Sequence, residues 1–370
     1  MTLTDTQAHL LETAEAAGAV LTTATPGRID RRLVGSLAEA GLLARLYPES
    51  GLSATELCLI RQGLARTSSE AETAFAMQGL GSYPIHQAAR PEVRERWIPQ
   101  VMTGRAVPAF ALTEPEAGSD AAALSLRAEP DGDGWRLTGA KAWISNAPDA
   151  DVYVVFARTT PEAGSRGVSA FVVPGDSPGL EGEAVDMVSP HPIGHLRFEE
   201  VAVPAEHLLG EPDRGFAVAM ATLDLFRPSV GAFAVGMAEA ALRIASDHAS
   251  QRHAFGKPII DFQAVSHSLA EMAARTAAAR LLVYEAAAAY DRGDREALTG
   301  LAAMAKLTAT ETAQMVVDGA VQIVGARALE SSHRLAHLYR DVRAPRIYEG
   351  TSEIQRNIIA REIRAGRLTW

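Results

Sequence analysis

The chain has 370 residues, of which 47% are hydrophobic and 22% are charged, so a disordered or fibrous protein is excluded. Its 45 acidic residues outnumber its 35 basic residues, and the net charge of −10 disfavours binding to nucleic acid or to an anionic membrane. The single cysteine, Cys58, excludes an intrachain disulfide and a multi-cysteine metal site.

We expect neither a signal peptide nor a membrane span in this sequence. The opening segment, MTLTDTQAHLLETAEAAGAV, has early acidic residues and no basic region, unlike a signal peptide. We find no apolar run that approaches the roughly 18 residues of a membrane span. We therefore expect a cytoplasmic protein without a membrane segment.

The first hundred residues have the pattern of an α-helical domain, which we assign to residues 1–106. Apolar residues recur at helical spacing, as in ELCLIRQGLA at 56–65. The segment RPEVRERWIPQVMTG predicts a further helix that ends at Gly104.

The next segment, residues 107–210, changes to a β pattern. Five short runs are rich in Val, Phe, Trp and Thr and are separated by Gly, Pro and Asp: VPAFALTE, WRLTGAKAWISNA, DVYVVFART, VSAFVVPG and HLRFEEVAVP. These runs predict a central sheet, which we expect to be barrel-like.

Residues 211–370 return to an Ala-rich helical pattern and predict a C-terminal four-helix bundle. The helices are expected over 215–250, 260–291, 295–325 and 331–342, with a last helix after Gly350. Helices, then a sheet, then a helical bundle make an α+β fold of three domains.

Two motifs lie in the β segment. ALTEPEAGSD, at 111–120, is typical of a strand end and turn, but its small residues also permit a planar or phosphorylated ligand to approach the backbone. In GAKAWISNA, at 139–147, Trp143 is either a core side chain or a flat ring that stacks on a heteroaromatic group beside the Ser145 hydroxyl.

Two further motifs lie in the C-terminal helical segment. RHAFGKPIIDFQ, at 252–263, is a turn between helices, in which Arg252 could also bind a phosphate. In IYEGTSEIQR, at 347–356, Ser352 and Gln355 predict a capping box, which leaves Glu349 on the preceding loop. That glutamate is either a surface charge or a general base beside free helix N-terminal amides.

In this order, ALTEPEAGSD, GAKAWISNA, RxxFGxP with FQ, QIVG and RDVRAPRIYEGTSEIQRNIIAR resemble the acyl-CoA dehydrogenase family over nearly the whole chain. The resemblance implies FAD-dependent α,β-dehydrogenation of an acyl-CoA thioester. Glu349 would take the α-proton, the flavin would take the β-hydride, and the Glu349 amide and a ribityl hydroxyl would polarise the carbonyl. Some relatives carry the base at the position of Phe226, which cannot accept a proton, so Glu349 remains the matching base.

The resemblance also implies ligand contacts and partners. The electron acceptor would be an electron-transfer flavoprotein, and the assembly a homotetramer in which Arg252 and Gln322 contact FAD across a subunit boundary. The implied FAD contacts are Phe110, Leu112, Thr113, Gly118, Ser119, Trp143, Ser145, Arg252, Phe255, Ile259, Phe262, Gln322, Ile323, Ile347 and Thr351. The implied substrate contacts are Asp224, Arg227, Gly350 and Arg361.

The chain departs from the family pattern at three places. The usual GGxG is Gly325-Ala326-Arg327-Ala328, and the paired-glycine loop near residue 50 is reduced to YPESGLSATE. A small hydroxyl-rich stretch that helps to hold CoA is replaced by SPHPIG at 189–194. His191 and His195 lack ligand geometry, so we expect solvated loop histidines and no metal.

These departures leave two alternatives to the acyl-CoA reading. One is a tailoring dehydrogenase that acts on an acyl group held by a carrier protein. The other is a flavin-free scaffold relative, against which the intact Trp143, Arg252 and Glu349 argue. The apolar segment 74–85, which contains glycines, suggests a short, branched or cyclic acyl group.

Overall fold

The computed structural model describes residues 3–21, 25–49 and 51–368 of the chain. The chain divides into two compact units. We call them the helical unit, which comprises Met1–Thr22, Leu52–Glu72 and Asp224–Trp370, and the sheet unit, which comprises Thr23–Gly51 and Thr73–Leu223.

The sheet unit contains one eight-stranded mixed sheet. The strand order is β6-β7-β3-β2-β4-β5-β8, with β1 paired in parallel to β4. Because this path does not close within the described residues, the sheet is open, and the expected barrel-like form describes it only loosely. The strands are β1 (Pro108–Ala111), β2 (Arg127–Asp131), β3 (Gly134–Ser145), β4 (Val152–Arg158), β5 (Val168–Pro174), β6 (Leu180–Ala184), β7 (Ile193–Val203) and β8 (Leu208–Leu209).

Five strands confirm the predicted β runs, whereas β2, β6 and β8 were not expected. Strands β2 and β6 escape the pattern because both are mostly exposed and polar, RAEPD and LEGEA. The central strands β4 and β5 are buried except at their last residue, which makes them continuous apolar runs.

An irregularity in β3 turns Trp143 outward. The pairing of β3 with β7 shifts register between Lys141 and Ile144, and Trp143 there takes a φ of 58°. Such bulges re-aim a side chain. Trp143 is consequently 51% exposed, so the core interpretation of this tryptophan is wrong.

The predicted helices are confirmed in both units. The sheet unit holds α2 (Arg31–Glu39) and α5 (Pro91–Met102), and α4 (Ser69–Ala88) continues into it from the helical unit. The other helices are α1 (Asp5–Val20), α3 (Ala54–Thr67), α6 (Gly215–Gln251), α7 (Gln263–Asp291), α8 (Arg295–Val324), α9 (Arg334–Asp341) and α10 (Ser352–Arg364), with a small hairpin of β9 (His253–Ala254) and β10 (Lys257–Pro258) between α6 and α7.

Helix α6 corrects one expectation. By length and composition it could cross a membrane, so the expectation that no apolar segment reaches that length is wrong. However, 78% of its apolar window is buried inside the protein. Gly236 on α6 permits this packing, because a Cβ there would lie 2.5 Å from the carbonyl oxygen of Gln62 on α3.

A buried ion pair fixes the loop after β1. Lys141 Nζ on β3 lies 2.8 Å from Glu114 Oε1 and donates a second hydrogen bond to the Leu112 carbonyl. Glu114 also accepts hydrogen bonds from the backbone amides of Ser125 and Leu126. Burial lowers the pKa of Lys141 to about 8, although the charge of Glu114 opposes this shift.

We predict that Lys141→Met lowers the free energy of unfolding by about 3–5 kcal/mol, because it leaves the Glu114 carboxylate buried without its cation. The double change Glu114→Gln/Lys141→Met should recover part of this loss. Urea unfolding measures both effects. The control is Lys257→Met, which changes a half-buried lysine of the β9–β10 hairpin. Equal stability of Lys141→Met and Lys257→Met would contradict the prediction.

Candidate functional site

Glu349 and Gly350 form the centre of a strained turn, residues 347–351, that precedes α10. Both have positive φ angles, 51° and 91°, and a non-glycine residue in this region costs of order 1–3 kcal/mol. Three side chains hold the turn by its carbonyl oxygens. Gln355 Nε2 donates to both carbonyls at 3.2 and 3.0 Å, Lys306 Nζ donates to Gly350 at 2.6 Å, and Arg227 Nε donates to Glu349 at 3.4 Å.

The predicted capping box at the start of α10 is wrong. The N-cap is Thr351, whose side chain accepts a hydrogen bond from the amide of Ile354. Ser352 is already the first helical residue and donates to Glu311 at 2.6 Å. With Thr351 as the N-cap, Gln355 is the fourth helical residue rather than the third, so it lies one residue past the box position, and its Nε2 donates to the two turn carbonyls.

The Glu349 carboxyl group has an unusual environment. Its Oε2 atom is buried and has no hydrogen-bond partner among the described residues. Burial raises the pKa of Glu349, and the positive charges of Arg61, Lys306 and Arg227 oppose the shift without cancelling it. The group is therefore a stronger base than an ordinary glutamate, and its free oxygen can accept a proton.

The three nearby cations differ in how their charges are balanced. Arg61 forms a buried ion pair with Glu72, and Arg227 lies 3.0 Å from Asp224. Lys306 is fully buried on α8, and no carboxylate lies within ion-pair distance of it in the described part of the chain. Burial lowers the pKa of Lys306 to about 8, while the charge of Glu349 acts in the opposite direction.

The sequence analysis missed Arg61 and Lys306 and misassigned Gln355. A signal was present for the first two, since each is a charged residue inside an otherwise apolar or Ala-rich helical segment, LCLIRQGLA and LAAMAKLTA. Lys and Arg are almost never fully buried unless their charge is paired. No local sequence pattern indicates that Arg61 and Lys306 lie near the Glu349 turn.

The predicted substrate contacts lie in the helical unit with Glu349. Asp224 pairs with Arg227 and accepts a hydrogen bond from Thr299 at 3.1 Å, and burial raises the pKa of Asp224. Arg361 is exposed on α10 and pairs with Glu362. Their roles stay predictions.

In the sheet unit, Trp143 and Ser145 each contact a histidine. The amide of Trp143 donates to His195 Nδ1 at 3.3 Å, and the two rings meet edge to face at 4.9 Å. Ser145 Oγ lies 2.8 Å from His191 Nε2, and burial lowers the pKa of His191 to about 4. The expectation of solvated loop histidines is therefore wrong. No group of three metal-ligating side chains occurs among the residues that the structure describes.

The remaining predicted FAD contacts of the sheet unit lie on β1 and the loop after it. Phe110 packs against Phe156 with ring centroids 4.8 Å apart, and the Thr113 carbonyl accepts a hydrogen bond from Ala142. Leu112 is buried, whereas Gly118 and Ser119 are exposed, and a Cβ at Gly118 would meet nothing within 4 Å.

The FAD contacts predicted for the helical unit share an exposed or half-buried position. Phe255, at the tip of the β9–β10 hairpin, is 96% exposed and lies edge-on to Phe262 at 6.0 Å. The others are Arg252, Ile259, Gln322, Ile323, Ile347 and Thr351.

We predict that Lys306→Met raises the pKa of Glu349, because it removes a cation that favours the carboxylate form. The measurement is a ¹³C NMR titration of glutamate-labelled protein, in which Glu349→Gln identifies the resonance. The control is Arg275→Met, which removes an exposed cation of α7. An unchanged or lowered Glu349 pKa in Lys306→Met would contradict the assigned electrostatics.

Three family models match successive parts of the chain. Those described as the N-terminal, middle and C-terminal domains of acyl-CoA dehydrogenase match residues 7–105, 109–201 and 213–364. The short-chain specific acyl-CoA dehydrogenase, mitochondrial, of Rattus norvegicus is 38% identical over 335 residues, which cover 88% of this chain and 81% of that protein.

Solved structures share the fold over nearly the full length. Butyryl-CoA dehydrogenase from Megasphaera elsdenii has a TM-score of 0.93 at 34% identity, covering 98% of this chain and 99% of that one. The FAD complex of PigA has a TM-score of 0.93 at 27% identity, with the same coverage.

Proposed function

The chain belongs to the acyl-CoA dehydrogenase family, and on that premise we propose that it oxidises the Cα–Cβ bond of an acyl-CoA thioester with Glu349 as the base. The single observation that carries the assignment of the base is the buried, unpartnered Oε2 atom of Glu349 on a turn that three side chains hold.

The chemistry requires a base that is strong and correctly placed. An α-C–H bond is a weak acid, so the carbonyl must be polarised while the proton leaves. Glu349 supplies the base through Oε2. Its backbone amide donates no hydrogen bond within the described residues and is the group proposed to polarise the thioester carbonyl.

The residues present fit FAD as the proposed cofactor. Trp143 offers a half-exposed flat ring next to the Ser145 hydroxyl, and the open position of Gly118 leaves its backbone accessible. Arg252 is an exposed cation suited to a diphosphate. When bound, FAD would accept the β-hydrogen as hydride. A PigA structure with bound FAD supports this choice.

The proposed assembly is a homotetramer that passes electrons to an electron-transfer flavoprotein. An aromatic side chain as exposed as Phe255 fits a position that a second subunit or its cofactor covers. This proposal extends the family resemblance, in which the Arg252–Phe255 segment reaches a neighbouring subunit.

We predict that Glu349→Gln slows anaerobic flavin bleaching by roughly 10²–10⁴-fold, because glutamine keeps the shape but cannot accept the proton. FAD content, followed by visible absorbance, should stay at the wild-type level. The matched control is Glu353→Gln, which changes an exposed glutamate in the first turn of α10. Near-full bleaching by Glu349→Gln with a confirmed substrate would show that another group takes the proton.

A second candidate function is dehydrogenation of an acyl group on a carrier protein. The observation that favours it is the SPHPIG segment, whose His191 contacts Ser145 where the family has a small hydroxyl-rich stretch. If the carrier is a protein, acyl-pantetheine and acyl-CoA substrates of one chain length should give similar kcat/KM values. A large advantage of the CoA thioester would instead support acyl-CoA.

A further inference from the structure

The buried ion pair of Arg61 and Glu72 is unexplained by the reaction described above. Arg61 lies on α3 and Glu72 on α4, and their side chains are 2% and 1% exposed. Replacing a buried pair with apolar residues is often neutral or stabilising, so stability alone gives little reason to keep one. The pair therefore suggests a functional role near Glu349.

The hydrogen bonds of Arg61 use two of its three guanidinium nitrogens. Nε donates to Glu72 Oε1, and Nη1 donates to Ser229 Oγ at 2.6 Å. The structure gives Nη2 no hydrogen bond to any residue in the described ranges. The centroid of the Phe233 ring lies 6.0 Å from the guanidinium carbon.

Hydrogen bonds place this guanidinium near the Glu349 turn, because its Nη1 donates to Ser229 on α6, two residues after Arg227, and Arg227 Nε donates to the Glu349 carbonyl. Arg61 is the cation that acts most strongly on the Glu349 carboxyl, and the charges of Glu349 and Tyr348 act on Arg61 in turn. A base that removes the α-proton is in contact with the acyl chain. An acyl group in contact with Glu349 would therefore lie near the Arg61 guanidinium.

The charge balance decides what kind of acyl group fits. Glu72 already neutralises Arg61, and Asp224 neutralises Arg227. An anionic acyl group would bring a further negative charge next to Glu72 and Glu349, and of the three cations that act on Glu349 in the described part of the chain, Lys306 alone has no ion-pair partner. A neutral oxygen satisfies the open donors without this repulsion.

Resting on the proposed function, we propose that Arg61 is a specificity-determining residue that donates a hydrogen bond from Nη2 to a neutral oxygen of the acyl group, a hydroxyl or ether beyond the β-carbon. The substrate class is thus an oxygen-bearing acyl thioester rather than a plain alkyl one. The oxygen takes no part in the reaction: Glu349 gains the α-proton, the flavin gains the β-hydride, and the product is the oxygen-bearing enoyl thioester.

The test compares matched substrates on the FAD-loaded enzyme. The isosteric pairs are 4-hydroxybutyryl-CoA against pentanoyl-CoA, and 4-methoxybutyryl-CoA against hexanoyl-CoA, with succinyl-CoA as the anionic arm. We expect kcat/KM to favour the oxygen-bearing member by roughly tenfold to a hundredfold, as one hydrogen bond from a charged donor provides. Succinyl-CoA should be the poorer substrate than 4-hydroxybutyryl-CoA.

Variants separate recognition from folding and from chemistry. Arg61→Met/Glu72→Met removes both charges together and should bring each ratio close to one, whereas the control Arg66→Met, elsewhere on α3, should keep the wild-type ratios. Binding of the same pairs to Glu349→Gln, followed by flavin absorbance, should show the same preference without turnover. That readout remains valid if the base is assigned wrongly.

Each outcome is decisive. Wild-type ratios near one, a preference for succinyl-CoA, or a preference that persists in Arg61→Met/Glu72→Met would overturn the proposal while leaving the dehydrogenase function intact. If no thioester bleaches the flavin or binds Glu349→Gln, the proposed function fails and the inference fails with it. The wild-type ratios suffice for this judgement if the double variant does not fold.

Discussion

The hydrogen bonds to the carbonyl oxygens of Glu349 and Gly350 are the interaction on which the rest of the site depends. The positive φ angle of Glu349, a non-glycine residue, is unfavourable for the chain alone. Donors from α6, α8 and α10 compensate for this by binding the carbonyl oxygens of the turn. The helical unit therefore determines where the Glu349 carboxyl group lies, and burial of this group raises its pKa.

In the sheet unit, a buried ion pair stabilises irregular backbone. Trp143 lies at the register shift in β3, and Gly118 and Ser119 lie in the loop after β1. The buried Glu114–Lys141 pair connects the turn-bearing loop to β3, close to the register shift that turns Trp143 outward. Glu114 and Lys141 belong to the two sequence motifs of the β segment, although neither residue was expected to be buried.

The sequence predicted the long helices, five strands and the loop position of Glu349, because these depend on patterns within one element. It failed at the start of α10 and where a side chain contacts a distant part of the chain. Gln355 has the right spacing from Ser352 for a capping box, but the N-cap is Thr351, and Gln355 donates to the turn carbonyls instead. Lys306 and Arg61 approach Glu349 from helices far away in sequence, and β2 and β6 are too polar to be told from loops.

The burial of lysine has a consequence for the chemistry of the protein surface. The chain has three lysines, and two of them, Lys141 and Lys306, are fully buried at the ion pair and beneath the Glu349 turn. Lysine-directed acylation, ubiquitin attachment or amine cross-linking in the folded state is thereby confined to Lys257 on the β9–β10 hairpin. The external positive charge is carried almost entirely by arginine, whose guanidinium groups do not undergo these reactions.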